Sequence, residues 1–250
     1  MPYWPGMAGF TGVGIDFTST EYTVADQQRM EKAVRYFEWQ YRMVEPHLGR
    51  RVLEIGCGMG NFTRVLVDRE CVVGIDIDEG VLAEHRTRFR KRDNVVAHRM
   101  DSVDPAFFSL ARYRPDSVVC LNVLEHIEDD VAALANMNSV LQPGGRAVLI
   151  VPAFQSLFGP IDHKLGHYRR YSKQMMRGLA ERTGFRVAQL RYMNIVGFFG
   201  WWVNARVLRK TEQSEGQIAL FDKMIVPLQA AMERWIEPPC GQSIFAVLEK

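Results

Sequence analysis

The feature that most limits how this chain folds is an alternation. Five short, β-branched apolar runs, Arg51 to Ile55, Cys71 to Ile75, Asn94 to Ala97, Ser117 to Leu121 and Ala147 to Val151, follow one another along the sequence. Between them lie charged or Ala/Leu-rich stretches with helical spacing: Asn61 to Asp68, Glu79 to Arg90, Asp104 to Ala111 and Asp129 to Leu141. Apolar runs without polar alternation are strands buried on both faces, and helices of about ten residues between them make βαβ units. The expected core is therefore a parallel sheet covered by helices on both sides. Gln142-Pro143-Gly144-Gly145 supplies the turn into the fifth run.

The flanks follow other rules. Residues 1–23 hold glycines and aromatics (Tyr3, Trp4, Phe10, Phe17) without a period and read as an irregular arm. Val24 to Val44 has helical spacing and ends before Pro46. Residues 152–171 lack apolar periodicity and read as a long loop, a type usually kept for function. A helix from Ser172 (as N-cap) to Arg182, a strand from Arg186 to Tyr192 and a final strand from Ser243 to Leu248 are expected beyond it. An insert, residues 194–242, carries two apolar helices, Phe198 to Arg209 and Ile218 to Ile236, joined by a polar linker. A chain of 250 residues fits one α/β domain, 1–250, with embellishments.

Bulk chemistry excludes more than it selects. Net charge is +2, from 31 basic and 29 acidic residues, so no field calls for nucleic acid. Cys57, Cys71, Cys120 and Cys240 form no C-x-x-C pair and have no histidine at ligand spacing, so no metal is expected. The most apolar stretch, Ile195 to Val203, is far below the roughly 20 residues of a spanning helix. With no secretory signal in view, a cytoplasmic location is expected.

The first strand runs into Gly56-x-Gly58-x-Gly60. Glycines suit a backbone that must turn sharply and approach a ligand closely. Dinucleotide sites use G-x-G-x-x-G, whose amides hold a pyrophosphate. Here the third glycine comes one residue early, and Glu54 stands two before the first. A carboxylate there repels a pyrophosphate but suits the cationic, amino-bearing end of S-adenosylmethionine (SAM). Asp76, ending the second strand, is placed for ribose hydroxyls. Asp101 and Ser102, after the third, are placed for the adenine amino group. Acidic groups at successive carboxyl ends of parallel strands line one crevice.

These segments resemble the class I SAM-dependent methyltransferases, nearest the small-molecule branch with the ubiquinone-type enzymes. Val52-Leu53-Glu54-Ile55-Gly56-Cys57-Gly58-Met59-Gly60 is similar to that family's first motif, and Val73-Gly74-Ile75-Asp76-Ile77-Asp78 to its second-strand motif. Asn122-Val123-Leu124-Glu125-His126-Ile127 resembles the fourth-strand motif, and Leu141 to Gly145 the turn before strand five. The resemblance covers roughly residues 30–190. It implies a Rossmann-like, doubly wound, seven-stranded sheet, mostly parallel with an antiparallel final hairpin, and SAM as donor with S-adenosylhomocysteine as product. It further implies a cofactor site of Glu54, Gly56, Cys57, Gly58 and Gly60 at the methionine moiety. Asp76 and Ile77 belong at the ribose, Asp101 and Ser102 at the adenine, and Asn122 at the sulfonium. Arg42, on the helix with Trp39 and Tyr41, is a candidate for the SAM carboxylate.

Methyl transfer from a sulfonium needs alignment and exclusion of water, and needs a base when the nucleophile carries a proton. The loop after strand five holds Asp162-His163-Lys164-Leu165-Gly166-His167-Tyr168-Arg169-Arg170-Tyr171. His163, His167 and Tyr168 are the candidate catalytic groups, with Asp162 as orienter; docking of the loop is the competing role. Arg169 and Arg170 are candidates for an anionic group on the acceptor or for solvated surface. His126 is expected to cap or orient the site. The apolar insert extends the core, forms a homodimer interface, covers a greasy acceptor or touches a membrane surface. The overall expectation is methylation of O, N or C of a small, hydrophobic or lipid-linked acceptor. An inactive SAM-binding scaffold and an NAD(P)-dependent oxidoreductase are the alternatives, the latter disfavoured by Glu54 and the early third glycine.

Overall fold

The alternation folds into the expected sheet. A computed structural model describes residues 33–202, 216 and 220–250. Its strands are β1 (Arg51–Ile55), β2 (Cys71–Asp76), β3 (Val95–Arg99), β4 (Ser117–Leu121), β5 (Arg146–Pro152), β6 (Arg186–Met193) and β7 (Ser243–Glu249), in the order β3-β2-β1-β4-β5-β7-β6. Neighbours from β3 to β5 pair in parallel, and β7 runs antiparallel to both β5 and β6. Strand order reverses direction between β1 and β4, which opens a crevice at their carboxyl ends. That is where the glycine loop and the fourth-strand motif meet.

The described helices are α1 (Val34–Val44), α2 (Glu79–Phe89), α3 (Asp130–Val140), α4 (Pro160–Lys164), α5 (Lys173–Arg182), α6 (Ile195–Trp202) and α7 (Val226–Glu233). Three of their starts are capped by a side chain, the expected Ser172 among them. Asp78 accepts from the N–H groups of Gly80 and Val81, Asp129 from Ala132, and Ser172 from Met175. Each such cap contributes about 1 kcal/mol.

Period-two alternation divides the core. Leu53, Ile55, Val73 and Val118 face Leu134 and Met137 of α3 and Met176 and Leu179 of α5. Val52, Val72, Val119 and Val148 face Trp39 and Val44 of α1 and Phe89 of α2. Each fully buried aliphatic side chain contributes roughly 1.5–3 kcal/mol. The same alternation sets Glu54 on the face of Val52, toward α1 and α2. Trp39 is buried in the core.

Several expectations change. The helix expected over Asn61 to Asp68 is a single 3-10 turn, Thr63–Val65. Thr63, Val65 and Val67 are β-branched and lose side-chain freedom in a helix. The helix expected over Asp104 to Ala111 is a 3-10 run, Pro105–Tyr113, closed by Arg114 in the left-handed region (φ 51°). The loop 152–171 contains the short α4 and a 3-10 turn, Gln155–Leu157. In the insert, α6 begins three residues before the expected Phe198. In the second helix a π turn, Phe221–Ile225, follows Leu220 and passes into α7. Pro227 has no N–H for the carbonyl of Lys223, which instead accepts from Arg35 Nη1 at 2.5 Å. The arm 1–23, the first part of the N-terminal helix and most of the linker 210–217 lie outside the described residues.

Candidate functional site

The glycine loop is fastened to the end of β2. The N–H groups of Gly56 and Cys57 donate to the Ile75 carbonyl at 2.8 and 3.0 Å, and Gly60 donates to Cys57 at 2.9 Å. Gly58 donates to Asp76 Oδ2 at 2.9 Å, and Asp78 to Asp76 Oδ1 at 3.0 Å. Gly56 and Gly60 sit at φ +71° and +86°, where side chains are strained. A Cβ on Gly56 would also collide with Val123, and one on Gly60 with the rings of Phe89 and His85. Cys57 is buried against Gly74, where a Cβ would come within 2.6 Å of its sulfur. Its thiol is pushed up by burial, beside Glu54 and Asp76, so it is a packing group rather than a nucleophile.

Behind the loop is a buried polar chain. Thr63 Oγ1 donates to Glu54 Oε2 at 2.6 Å, and His85 Nε2 lies 3.1 Å from the same hydroxyl. With its proton on Glu54, the hydroxyl accepts from the Nε2–H tautomer of His85. Burial, with Arg88 and Arg86 nearby, lowers His85 to about 4, keeping it neutral. Burial raises Glu54 to about 8; Thr63 opposes the shift and Asp76 adds to it. Asp76 is also raised by burial, moderated by the backbone N–H groups of Asp78 and Gly58. A cationic ligand would repay the desolvation of both. Tyr41 of α1 packs on Phe62 (ring centroids 6.3 Å) and so covers the back of the loop.

Of the other expected cofactor residues, Ile77, Asp101 with Ser102, and Asn122 follow the carboxyl ends of β2, β3 and β4, whereas Arg42 is on α1. Ile77 is exposed just past β2, its carbonyl held by Arg99 Nε. Asp101 is exposed and accepts from the Val103 N–H at 3.0 Å, while the Ser102 carbonyl is held by Asn136. Asn122, at φ +53°, donates its N–H to Ile150 at 2.7 Å and turns the chain off β4. Arg42 is exposed on the last turn of α1, 3.9 Å from Glu38.

On the β4–β5 side the long loop folds back over the sheet. Tyr171 bridges to Ala153, and its hydroxyl donates toward the Leu124 carbonyl and Asp130. Asp162, fully buried, accepts from Arg170 Nε at 2.8 Å and from the Gly159 N–H at 3.0 Å, and lies 2.8 Å from His167 Nδ1. Those donors hold Asp162 below its ordinary value against the burial that would raise it. Arg170 is itself 1% exposed, with its guanidinium over the Trp201 ring at 4.6 Å. Arg169 pairs with Asp130 at 2.8 Å and donates to the Glu128 carbonyl. Both arginines are therefore spent on docking the loop, and neither reading of them as acceptor ligands or solvated surface holds.

The candidate bases separate. His167 is brought beside His126, with ring centroids 4.6 Å apart and planes at 88°. His163 is exposed and rests edge-on against Phe158, and Tyr168 is exposed with Arg169 over its ring. Packing around the ring lowers His126, and His167 adds to the shift. Sequence patterns singled out neither Glu125 as an acid of this pocket nor Tyr36, Gln40 and Asn194. Glu125 is 1% exposed, is raised to about 8 by burial, and its Oε2 meets no hydrogen-bond partner among the described residues. Burial pushes the Tyr36 hydroxyl up to about 12, beside Gln40, Glu125 and Asn194. Glu125, His126 and His167 each place one ligating atom within 4.8 Å of the others, a donor set able to take a divalent cation.

Residues 53–147 match a family model described as a methyltransferase domain. Over 101 residues the chain is 33% identical to a ubiquinone biosynthesis O-methyltransferase of Alkalilimnicola ehrlichii, a match spanning 40% of each protein. A crystal structure of a SAM-dependent methyltransferase from Archaeoglobus fulgidus superposes with a TM-score of 0.61 at 19% identity, over 92% of this chain and 99% of that one. The N-methyltransferase NodS of Bradyrhizobium japonicum, solved with S-adenosylhomocysteine, superposes with a TM-score of 0.51 at 14% identity, over 93% of this chain and 89% of that one.

Proposed function

We propose, for a chain whose residues 53–147 are a class I SAM-dependent methyltransferase domain, that it methylates a proton-bearing oxygen or nitrogen on a small, hydrophobic acceptor. The single observation that carries this reading is the His167–Asp162 pair beside His126, on the turn that follows β4. A buried carboxylate 2.8 Å from Nδ1 fixes the tautomer with its lone pair on Nε2. Such a histidine accepts a proton, and a carbon nucleophile has less need of one.

The donor site suits SAM by its own chemistry. Glu54, Gly56, Cys57, Gly58 and Gly60 would hold the methionine moiety, Asp76 and Ile77 the ribose, Asp101 and Ser102 the adenine. Asn122 lies on the sulfonium side, and Arg42 near the carboxylate. The positive-φ cradle that a Cβ would fill, and a buried Glu54 raised to about 8, both favour a cationic, closely held ligand. Bound there, SAM supplies a methyl group already activated on a sulfonium.

The remaining work belongs to this chain. His167 Nε2 takes the proton of the attacking group, and Asp162 steadies the imidazolium that results. Phe154, stacked on Tyr192 with centroids 4.8 Å apart and edge-on to Phe198, walls the acceptor side with apolar surface and keeps water out. Glu125 and His126 orient the acceptor beside His167. Calorimetry tests the donor half: S-adenosylhomocysteine binds and NAD does not. NAD binding without a homocysteine response overturns it. For the acceptor half, His167→Ala lowers turnover far more than homocysteine affinity; full turnover removes His167 from the chemistry.

A further inference from the structure

Residues 220–236 and α6 form a surface whose polarity is inverted. In a water-facing amphipathic helix the polar side chains point out. Here the buried positions include Asp222, Gln229 and Glu233. Each is turned inward onto backbone. Asp222 accepts from the N–H groups of Arg35 and Tyr36. Glu233 accepts from Asn194 and Ile195, and Gln229 from Val196. The outward row is Leu220, Met224, Leu228, Met232 and Trp235, with Leu228 73% and Trp235 81% exposed. On the adjoining α6, Phe199 and Trp202 are also exposed. Apolar faces of this extent mark a binding surface.

Charge identifies the occupant. Segment 220–236 contains two acids, Asp222 and Glu233, and both are buried. Its two bases, Lys223 and Arg234, are exposed, with Arg234 over the Trp235 ring at 5.3 Å. The exposed charges of the segment are therefore both basic, set among large apolar groups and tryptophans, and the exposed Glu237 that follows it is paired with Lys173 at 2.8 Å. A face that meets a second copy of itself would set these like charges against each other, whereas an interfacial helix on anionic lipid wants this combination. No helix among the described residues is long and apolar enough to cross a membrane, so the contact is a resting one.

We infer that α6 and residues 220–236 dock this protein on an anionic lipid surface. The inner side of α6 completes the link to the site, because Trp201 lies under Arg170, which is bonded to the Asp162 that holds His167. The lipid face and the acceptor pocket are two sides of one helix. That the acceptor is drawn from the bilayer rests on the methyl-transfer reading above.

Co-sedimentation of the full chain with vesicles tests the inference. The chain pellets with vesicles of phosphatidylglycerol and phosphatidylcholine in equal parts, far less with phosphatidylcholine alone, and salt weakens the binding. Leu228→Glu/Trp235→Glu, and separately Lys223→Glu/Arg234→Glu, each lower the binding about tenfold or more. These side chains are exposed, so the fold survives, as thermal melts will show. A native chain left in the supernatant, or an apolar double variant that binds like the native chain, overturns the inference. So does a native dimer that the apolar double variant turns into monomers, since the face then belongs to a second copy. Homocysteine calorimetry on the same variants reports the donor site separately: its failure with vesicle binding intact would sink the methyl-transfer reading and leave this face standing.

Discussion

Asp162→Ala is the most informative single change. In the native chain Asp162 and Arg170 have side chains 0% and 1% exposed and share a 2.8 Å contact. Removing the carboxylate leaves a guanidinium in the interior with the Ala153 carbonyl, at 3.3 Å, the Trp201 face and, farther off, Glu125 as its remaining neighbours among the described residues. Breaking one half of a buried pair costs about 3–5 kcal/mol. For a domain of this size each kcal/mol lowers Tm by roughly 2–4 °C, so the expected loss is about 6–20 °C. Replacing both partners relieves the stranded charge, so Asp162→Ala/Arg170→Met melts above Asp162→Ala alone. A pH series adds a second check. Asp162 is lowered in the fold, so its stabilisation is present above the ordinary carboxylate value and is lost as pH falls below about 4. The native chain loses stability over that acid range more steeply than the variant. Melting of Asp162→Ala within about 1 kcal/mol of native, or no rescue by the second substitution, would refute the coupling on which the loop's architecture rests.

Three further outcomes are expected. Glu54 is raised to about 8, so its ionisation costs stability progressively from its unfolded value up through pH 8. Glu54→Gln therefore raises the Tm of the ligand-free chain at pH 9 relative to native, leaves it nearly unchanged at pH 5 and weakens homocysteine binding; an equal offset at both pH values would contradict the raised pKa. Gly60→Ala meets both φ +86° and the Phe89 and His85 rings, and costs about 2 kcal/mol or more in chemical denaturation. A neutral result there means the loop relaxes freely. Asp76→Ala lowers homocysteine affinity and also destabilises the chain by about 1–3 kcal/mol, because the Gly58 and Asp78 N–H groups lose their acceptor. Unchanged affinity would remove Asp76 from the donor site.

Much of the donor half was legible in one dimension. Strand–loop units are local: the apolar runs, the early third glycine and the acids at strand ends lie within a few residues of the atoms they position. Every expected strand is present, and the boundaries moved by one or two residues. The failures were also local in origin. Thr63, Val65 and Val67 interrupted a helix that period alone had suggested, and Pro227 follows directly on a π turn within another.

The acceptor half needed three dimensions. A run such as Gly166-His167-Tyr168-Arg169-Arg170-Tyr171 offers several bases and cations of equal standing. Only packing decides among them. Tertiary contacts buried Asp162 and Arg170 together, turned His167 to His126 and left His163 and Tyr168 in solvent. They also drew Glu125 from the turn after β4, Tyr36 from α1 and Asn194 from the end of β6 into one neighbourhood. Sequence alone determined the sheet and the glycine loop at the end of β1, because a βα turn is built on contiguous backbone. Tertiary structure decided which side chains are charged, neutral or paired, because desolvation depends on neighbours more than a hundred residues away.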